Sequence, residues 1–233
     1  MINIEVCYSP ELIHLYELEG KIVVVTDILR ATSSMVAGLG SGVKSIVPVM
    51  EVAECDEYGK QGFLTAGERN GIKVPHFNFG NSPFDFMLPE NIGKSIAMTT
   101  TNGTRAINKS KAAKQVIIGS FLNLNATSAF LKEVSEDIVI FCAGWKGRFS
   151  MEDTLFAGAL ADSLKENANI ACDAAIGAIT LFKSHEKDLL NFVMQSNHAK
   201  RLGKLDVKKD IEFCMEQNKF NVVPILNDNF LSV

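Results

Sequence analysis

Four short polar stretches of this chain carry residue types that hold oxyanions and metal ions. In "MTTTNGTRAI" (98–107) an apolar run gives way to Thr101, Asn102, Gly103 and Thr104 just ahead of Arg105. If KSIAM is a buried strand and RAINKSKAA opens a helix, hydroxyls, backbone N–H groups and a guanidinium share one small volume, which suits phosphate. Gly103 is expected at positive φ, so that neighbouring N–H groups converge, with Thr104 capping the helix. The plain alternative is an N-capped helix whose arginine is merely solvated.

The second stretch is "DILRATSS", with Asp27 at the end of KIVVVT and Arg30, Thr32 and Ser33 behind it. A carboxylate there can ligate Mg²⁺, accept a proton or attack phosphorus, and an arginine beside it can hold substrate oxygens. The alternative is an Asp27–Arg30 ion pair at a helix entrance. "GRFSMED" contributes Arg148, Glu152 and Asp153, although acidic residues behind Ser150 also mark an ordinary helix start. "AGERNG" contributes Glu68 and Arg69, which a surface turn before Gly71 also explains; it opens a long polar segment, 67–86, that includes Asn81 and Asp85. A segment of that length with aromatic residues is expected to be an ordered, functional loop.

Two phosphatase patterns are tested and fail. Cys142 and Arg148 stand in the C-x₅-R spacing of cysteine phosphatases, but Trp145 and Phe149 replace that motif's central glycine and hydroxyl residue. A small buried thiol at a strand end is the better reading of Cys142. Asp27 is followed by Ile28 and Leu29, so the DxD motif of haloacid-dehalogenase phosphatases is absent. His14, His76, His185 and His198 have no ligand spacing and are taken as surface or core residues.

The elements that must position these residues follow from hydrophobic pattern. Short β-branched runs occur at 21–27, 43–49, 94–100, 115–120, 137–143 and 221–226, with helical patterns such as ATSSMVAGLG, NLNATSAFLKEV and MEDTLFAGALADSLKEN between several of them. Strands apolar on both faces that alternate with helices predict an α/β fold: three α/β/α layers around a parallel or mixed sheet. The ligand is then expected beyond the carboxyl ends of the strands, where the four polar stretches fall. Beyond about residue 183 the chain turns helical and more basic, which predicts a C-terminal helical hairpin returning through NVVPIL.

With 233 residues and no Pro- or Ser-rich linker, residues 1–233 are expected to form one domain. A net charge of −4 argues against a nucleic-acid surface, so a small anion needs a local cationic site. The N-terminus lacks a signal-peptide pattern and no apolar run is long enough to span a membrane. Five widely spaced cysteines fit free thiols, and together these features point to the cytoplasm. A homodimer is left open.

Taken in order, "DILRATSS", "AGERNG", "FNFGNSP", "TTTNGTRAI", "GSFLN" and "CAGWKGRFSMEDTLFAG" resemble the 2-phosphosulfolactate phosphatase (ComB) family, and the C-terminal "SNHAKRLGKLDVKKDIEFCMEQNKFNVVPIL" resembles its ending. The likeness covers nearly the whole chain; Trp145 and Lys146 stand where small or acidic residues are expected. The resemblance implies an α/β/α, Mg²⁺-dependent hydrolase that removes phosphate from 2-phospho-3-sulfolactate, a step toward coenzyme M. That substrate carries about four negative charges, which clustered arginines and a metal must offset. The site inferred on that basis has Asp27, Arg30, Arg105 and Glu152 as catalytic residues. Arg69, Thr101, Asn102, Gly103, Thr104 and Arg148 bind substrate, and Asp27, Glu68 and Asp153 hold the metal. Arg105 is expected at the phosphoryl group and Arg148 at the group that anchors the substrate. The two rival readings are a metal-independent cysteine phosphatase using Cys142 and Arg148, and a noncatalytic organic-anion binding protein.

Overall fold

The computed structural model describes residues 2–203, 205 and 207–233. Along the chain run β1 (Ile2–Cys7), β2 (Ile22–Thr26), α1 (Ala31–Gly40), β3 (Ser45–Val49), α2 (Val52–Lys60), β4 (Leu64–Arg69), β5 (Ile72–Lys73) and α3 (Pro83–Phe86). There follow β6 (Ser95–Thr99), α4 (Gly103–Lys109), β7 (Gln115–Ile118), α5 (Leu124–Lys132), β8 (Ile138–Cys142), α6 (Met151–Leu164), β9 (Ala168–Ile170) and α7 (Asp173–His185). The last elements are α8 (Leu189–Met194), α9 (Asn197–Gly203), α10 (Lys208–Cys214), β10 (Ile225–Asn227) and β11 (Phe230–Ser232).

All strands join one mixed sheet in the order β5-β4-β6-β3-β11-β10-β7-β2-β8-β1-β9. It consists of two parallel blocks. In one, β6 pairs in parallel with β3 and β4; in the other, β2 pairs in parallel with β7 and β8, and β1 with β8 and β9. The β10–β11 hairpin lies between them, antiparallel to β7 on one side and to β3 on the other. Three antiparallel steps reverse the sense of the ladder, so the two blocks run in opposite directions. A continuous parallel sheet is therefore not what forms; the C-terminus supplies the antiparallel seam.

Strand β2 shows why the layers assemble. All five residues of IVVVT are buried, and alternate side chains go to opposite faces. Ile22 and Val24 enter a core with Phe156 and Leu160 of α6 and Leu131 of α5, while Val23 and Val25 enter another with Met35 and Val36 of α1 and Ile107 of α4. A smaller third cluster, with Val47, Ala97 and Cys55, covers the β3–β6 block under α2. Burying each such aliphatic or aromatic side chain stabilises the fold by roughly 1.5–3 kcal/mol before ordering costs. The close fit of α6 against α7 depends on Gly158, because a Cβ there would lie 2.0 Å from the Ala178 carbonyl oxygen.

The runs predicted at 21–27, 43–49, 94–100, 115–120 and 137–143 contain β2, β3, β6, β7 and β8, whereas that at 221–226 overlaps β10 only at Ile225 and Leu226; just ahead of it the Pro224 carbonyl accepts from Ile118 N at 2.9 Å. β1, β4, β5, β9 and β11 were not predicted. In place of a two-helix hairpin after residue 183, α8, α9 and α10 follow the end of α7 as three short helices. The 67–86 segment is ordered, as expected; its first residues are the end of β4, and Pro83 opens α3.

Candidate active site

The loops after β2, β4, β6 and β8 converge on one cleft, which α9 closes from the side. Asp27, Arg30, Glu68, Thr101, Asn102, Trp145, His198 and Arg201 are among the residues around it.

Asp27 follows directly on β2, whose paired ladder holds its backbone in place. Its amide donates to Thr32 Oγ1 at 3.0 Å and its carbonyl accepts from Thr32 N at 3.0 Å, so the turn into α1 is closed by one threonine. The residue is only 6% exposed yet faces the cleft. Burial, and after it the charges of Asp153, Glu68 and Glu152, push its carboxyl well above the usual carboxylate range. The Leu29–Arg30 peptide is cis.

Arg30 lines the same cleft and pairs with Asp210 of α10, not with Asp27. Asp210 also accepts a 3.0 Å bond from Ser82 Oγ, so the C-terminal helix and the 67–86 segment together aim this arginine. Glu68 is a loop organiser as well as a cleft residue. It accepts from Thr101 N at 2.7 Å, from Thr101 Oγ1 at 3.2 Å and from Gly71 N. Arg69 is turned away from the cleft, donating to the carbonyls of Glu68 and Met50 and to Thr99 Oγ1 at 2.9 Å each.

The TTTNGTR loop is built by reciprocal threonines. Thr100 N donates to Thr104 Oγ1 and Thr104 N to Thr100 Oγ1, both at 3.1 Å, so Thr100 is the helix-capping side chain and the Thr104 hydroxyl bonds back to Thr100. Thr101 N is bound to Glu68, and Gly103 is the loop residue packed directly against Asp27. Gly103 has an ordinary negative φ, contrary to the sequence expectation; what it supplies is room. A Cβ there would lie 2.6 Å from the Ala31 Cβ and 2.8 Å from Asp27 Oδ2. Arg105 points outward on α4, exposed and away from the cleft wall.

GRFSMED divides in two. Glu152 and Asp153 form the buried first turn of α6. Asp153 accepts from Ile28 N at 2.9 Å and Gly144 N at 3.0 Å, tying the loop after β2 to the loop after β8 from behind Asp27. Burial and the Glu152 charge push its carboxyl up to about 7 despite those N–H bonds. Glu152 Oε1 meets His198 Nδ1 at 2.5 Å, while its buried Oε2 has no partner. Burial opposes the Glu152 charge, but the hydrogen bond and charge of His198 outweigh it and hold the group below its ordinary value. Arg148 is exposed and borders an adjoining hollow, with Trp145 and His198 on both.

Sequence reasoning missed the contribution of α9. His198 and Arg201 stand three residues apart on one helix face and both reach the cleft. Trp145 lies against both: its ring centroid is 6.3 Å from that of His198 and 4.8 Å from the Arg201 guanidinium carbon. The helical hairpin pattern gave no sign of this, since i, i+3 spacing on a short helix points nowhere until the helix is docked. Asn81, singled out only as part of its loop, borders the cleft with a buried, unpartnered Oδ1. Cys142, by contrast, is fully buried in β8, outside the cleft, and burial with the Asp153 charge pushes its thiol well above the ordinary range. A thiolate nucleophile needs the opposite shift and access to substrate, so this residue is core.

Carboxylates and arginines gathered at strand ends, with backbone amides between them, define an α/β protein whose site handles small anions. Its sequence matches the family model for 2-phosphosulpholactate phosphatase over residues 7–229. It is also similar to proteins named probable 2-phosphosulfolactate phosphatase. That of Thermotoga maritima is 44% identical, covering 90% of each chain, and that of Caldanaerobacter subterraneus subsp. tengcongensis is 40% identical, covering 92% of this chain and 91% of its own. That of Clostridium acetobutylicum is 38% identical over 96% of this chain and 97% of its own. The chain belongs to the 2-phosphosulpholactate phosphatase family.

Proposed function

We propose that this protein hydrolyses 2-phospho-3-sulfolactate, or a closely similar small 2-phospho acid, to the hydroxy acid and phosphate, with Mg²⁺ as cofactor. The observation that carries the reading, given the family, is Asp27: a nearly buried carboxylate that faces the cleft, pressed by three other carboxylates and paired with no cationic side chain among the described residues. A divalent cation offsets that repulsion, and Mg²⁺ is commonly held by one or two carboxylates plus substrate oxygens and water. Asp153 is bonded through both oxygens behind Asp27, and the described residues contain no cluster of three or more His, Cys, Asp or Glu side chains arranged as a metal site. Asp27 is the carboxylate that would hold the ion, with Glu68, whose oxygens also accept from Thr101 and Gly71, as the second. Bound there, the metal would supply charge stabilisation on the phosphoryl oxygens.

The chain's own groups supply the rest. The amides of Asn102 and Gly103, in the loop packed against Asp27, donate to the phosphoryl oxygens, and Arg30, aimed by Asp210, neutralises developing charge. Glu152 fixes the His198 imidazole so that Nε2 is the ring nitrogen left to donate or accept a proton. Five free thiols and the absence of a membrane-crossing helix among the described residues suit a reducing compartment, the cytoplasm. Production of sulfolactate in coenzyme M synthesis is the metabolic setting this substrate implies.

The test is phosphate release from synthetic phosphosulfolactate by the purified protein, with added Mg²⁺ and after dialysis against excess EDTA. Release with Mg²⁺ that stops on chelation is expected. Full activity in EDTA would overturn the metal assignment, and no release under either condition would overturn the substrate.

A further inference from the structure

Of the two arginines at the cleft, Arg30 is ion-paired and Arg201 is not. Arg30 is held by Asp210, whereas Arg201 has no carboxylate within ion-pair distance among the described residues. Among the described residues its Nη1 donates to the Asn70 carbonyl at 3.2 Å, and its Nε is buried without a partner. Burial presses the guanidinium below its ordinary value, with Glu68 and Glu152 acting the other way. Trp145 supports one face of it. A guanidinium that lines the cleft, stacked on Trp145 and held by one Nη1 bond, presents a fixed positive charge and N–H donors to an acid group there.

We propose that Arg201 anchors the substrate's non-transferred acid group, a carboxylate or sulfonate, with Trp145 as its platform. The role expected from sequence for Arg148 thus passes to a residue of α9. Asp27 and Arg201 border the same cleft, so one small molecule can engage both the phosphoryl end and the anchor. The inference rests on the reading that the substrate bears a phosphoryl group and a further acid group. Arg201 is a specificity determinant: it holds a part of the substrate whose charge is unchanged in the reaction, so its loss weakens binding more than chemistry.

Trp145 is the chain's single tryptophan, so fluorescence excited selectively at tryptophan, beyond the absorption of the three tyrosines, reports on this corner alone. The experiment titrates wild type, Arg201→Gln, Arg201→Lys and Lys146→Gln with 3-sulfolactate, lactate, isethionate and inorganic phosphate, after circular dichroism has verified the fold of each. Lys146 lies 5.2 Å from the same ring and controls for loss of one positive charge nearby. Arg201→Gln is expected to weaken sulfolactate binding roughly ten- to a hundredfold, as loss of a charged hydrogen bond does, and phosphate binding less than about twofold. Arg201→Lys retains charge without the fork and falls between. Lactate and isethionate show whether the carboxylate or the sulfonate is the partner. With phosphosulfolactate as substrate, KM should rise by the same factor while kcat stays within about threefold, and a phosphate ester lacking acid groups should be unaffected.

Unchanged sulfolactate affinity in Arg201→Gln, an equal loss for phosphate, or an equal loss in Lys146→Gln overturns the anchor. So does a wild type that responds to none of the acids. A wild type that binds sulfolactate but hydrolyses no phosphosulfolactate refutes the proposed reaction and leaves the anchor standing.

Discussion

Replacing Asp210 by alanine should cost this protein more stability than its distance from the cleft floor suggests. Its carboxylate pairs with Arg30, and the two side chains are 9% and 6% exposed, so solvent screens the pair little. Alanine leaves a buried guanidinium without a counter-charge, which typically costs about 3–5 kcal/mol. The Ser82 hydroxyl, 3.0 Å from Asp210 Oδ1, loses its acceptor too, adding about 1 kcal/mol. In a chain of this length each kcal/mol lowers Tm by about 2–4 °C, so the expected fall is about 8–24 °C. Thermal unfolding followed by circular dichroism measures it, and Asp210→Asn, which retains shape and one acceptor, should lose less. The double variant Arg30→Met/Asp210→Leu should recover most of the stability while remaining inactive, because apolar packing can replace a buried pair whereas a lone buried charge cannot be accommodated. A Tm within about 2 °C of wild type for Asp210→Ala, or a double variant as unstable as the single, would refute the argument.

Three further outcomes are expected. Asp27→Asn should abolish turnover yet melt higher than wild type in EDTA: burial and the neighbouring carboxylates raise the Asp27 carboxyl above its unfolded value, so wild type loses stability as pH rises from the unfolded value toward the folded one, and the amide does not. Mg²⁺ should then raise the Tm of wild type but not of Asp27→Asn, and a lower Tm for the variant in EDTA would contradict the carboxylate repulsion. Cys142→Ala should keep wild-type kcat, and iodoacetamide should leave the native enzyme active; thiol-dependent loss of turnover would restore the cysteine-phosphatase reading. Asp137, held below its ordinary value first by the 2.8 Å bond from Asn3 N, contributes stability above its unfolded value and loses it as pH falls through the lower folded value. Asp137→Asn should therefore be less stable at neutral pH, with the gap to wild type closing toward about pH 3; a gap independent of pH would discount the charge.

The sequence alone determined the elements whose signals are local. β-branched runs buried on both faces marked β2, β3, β6, β7 and β8, since a strand between two helical layers has no polar face to disguise it. Asp27, Thr101 and Asn102 were legible because residues just past such strands have few places to go except the strand-end loops, whereas Glu68 was picked out by its charge beside Arg69 and proves to lie within the unpredicted β4. The antiparallel β10–β11 seam was not legible, because three-residue strands carry too little pattern to reveal which edges they join. Nor could residue type sort the arginines. Arg69 ends a strand and Arg105 and Arg148 follow strands as Arg30 does, yet the first is spent on carbonyl groups and the other two are exposed. Arg30 is held inward by Asp210, 180 positions away, and Arg201 is brought in by the docking of α9 on Trp145. Local composition sets which side chains can carry charge; the long-range pairings that offset desolvation decide which of them stay in the cleft.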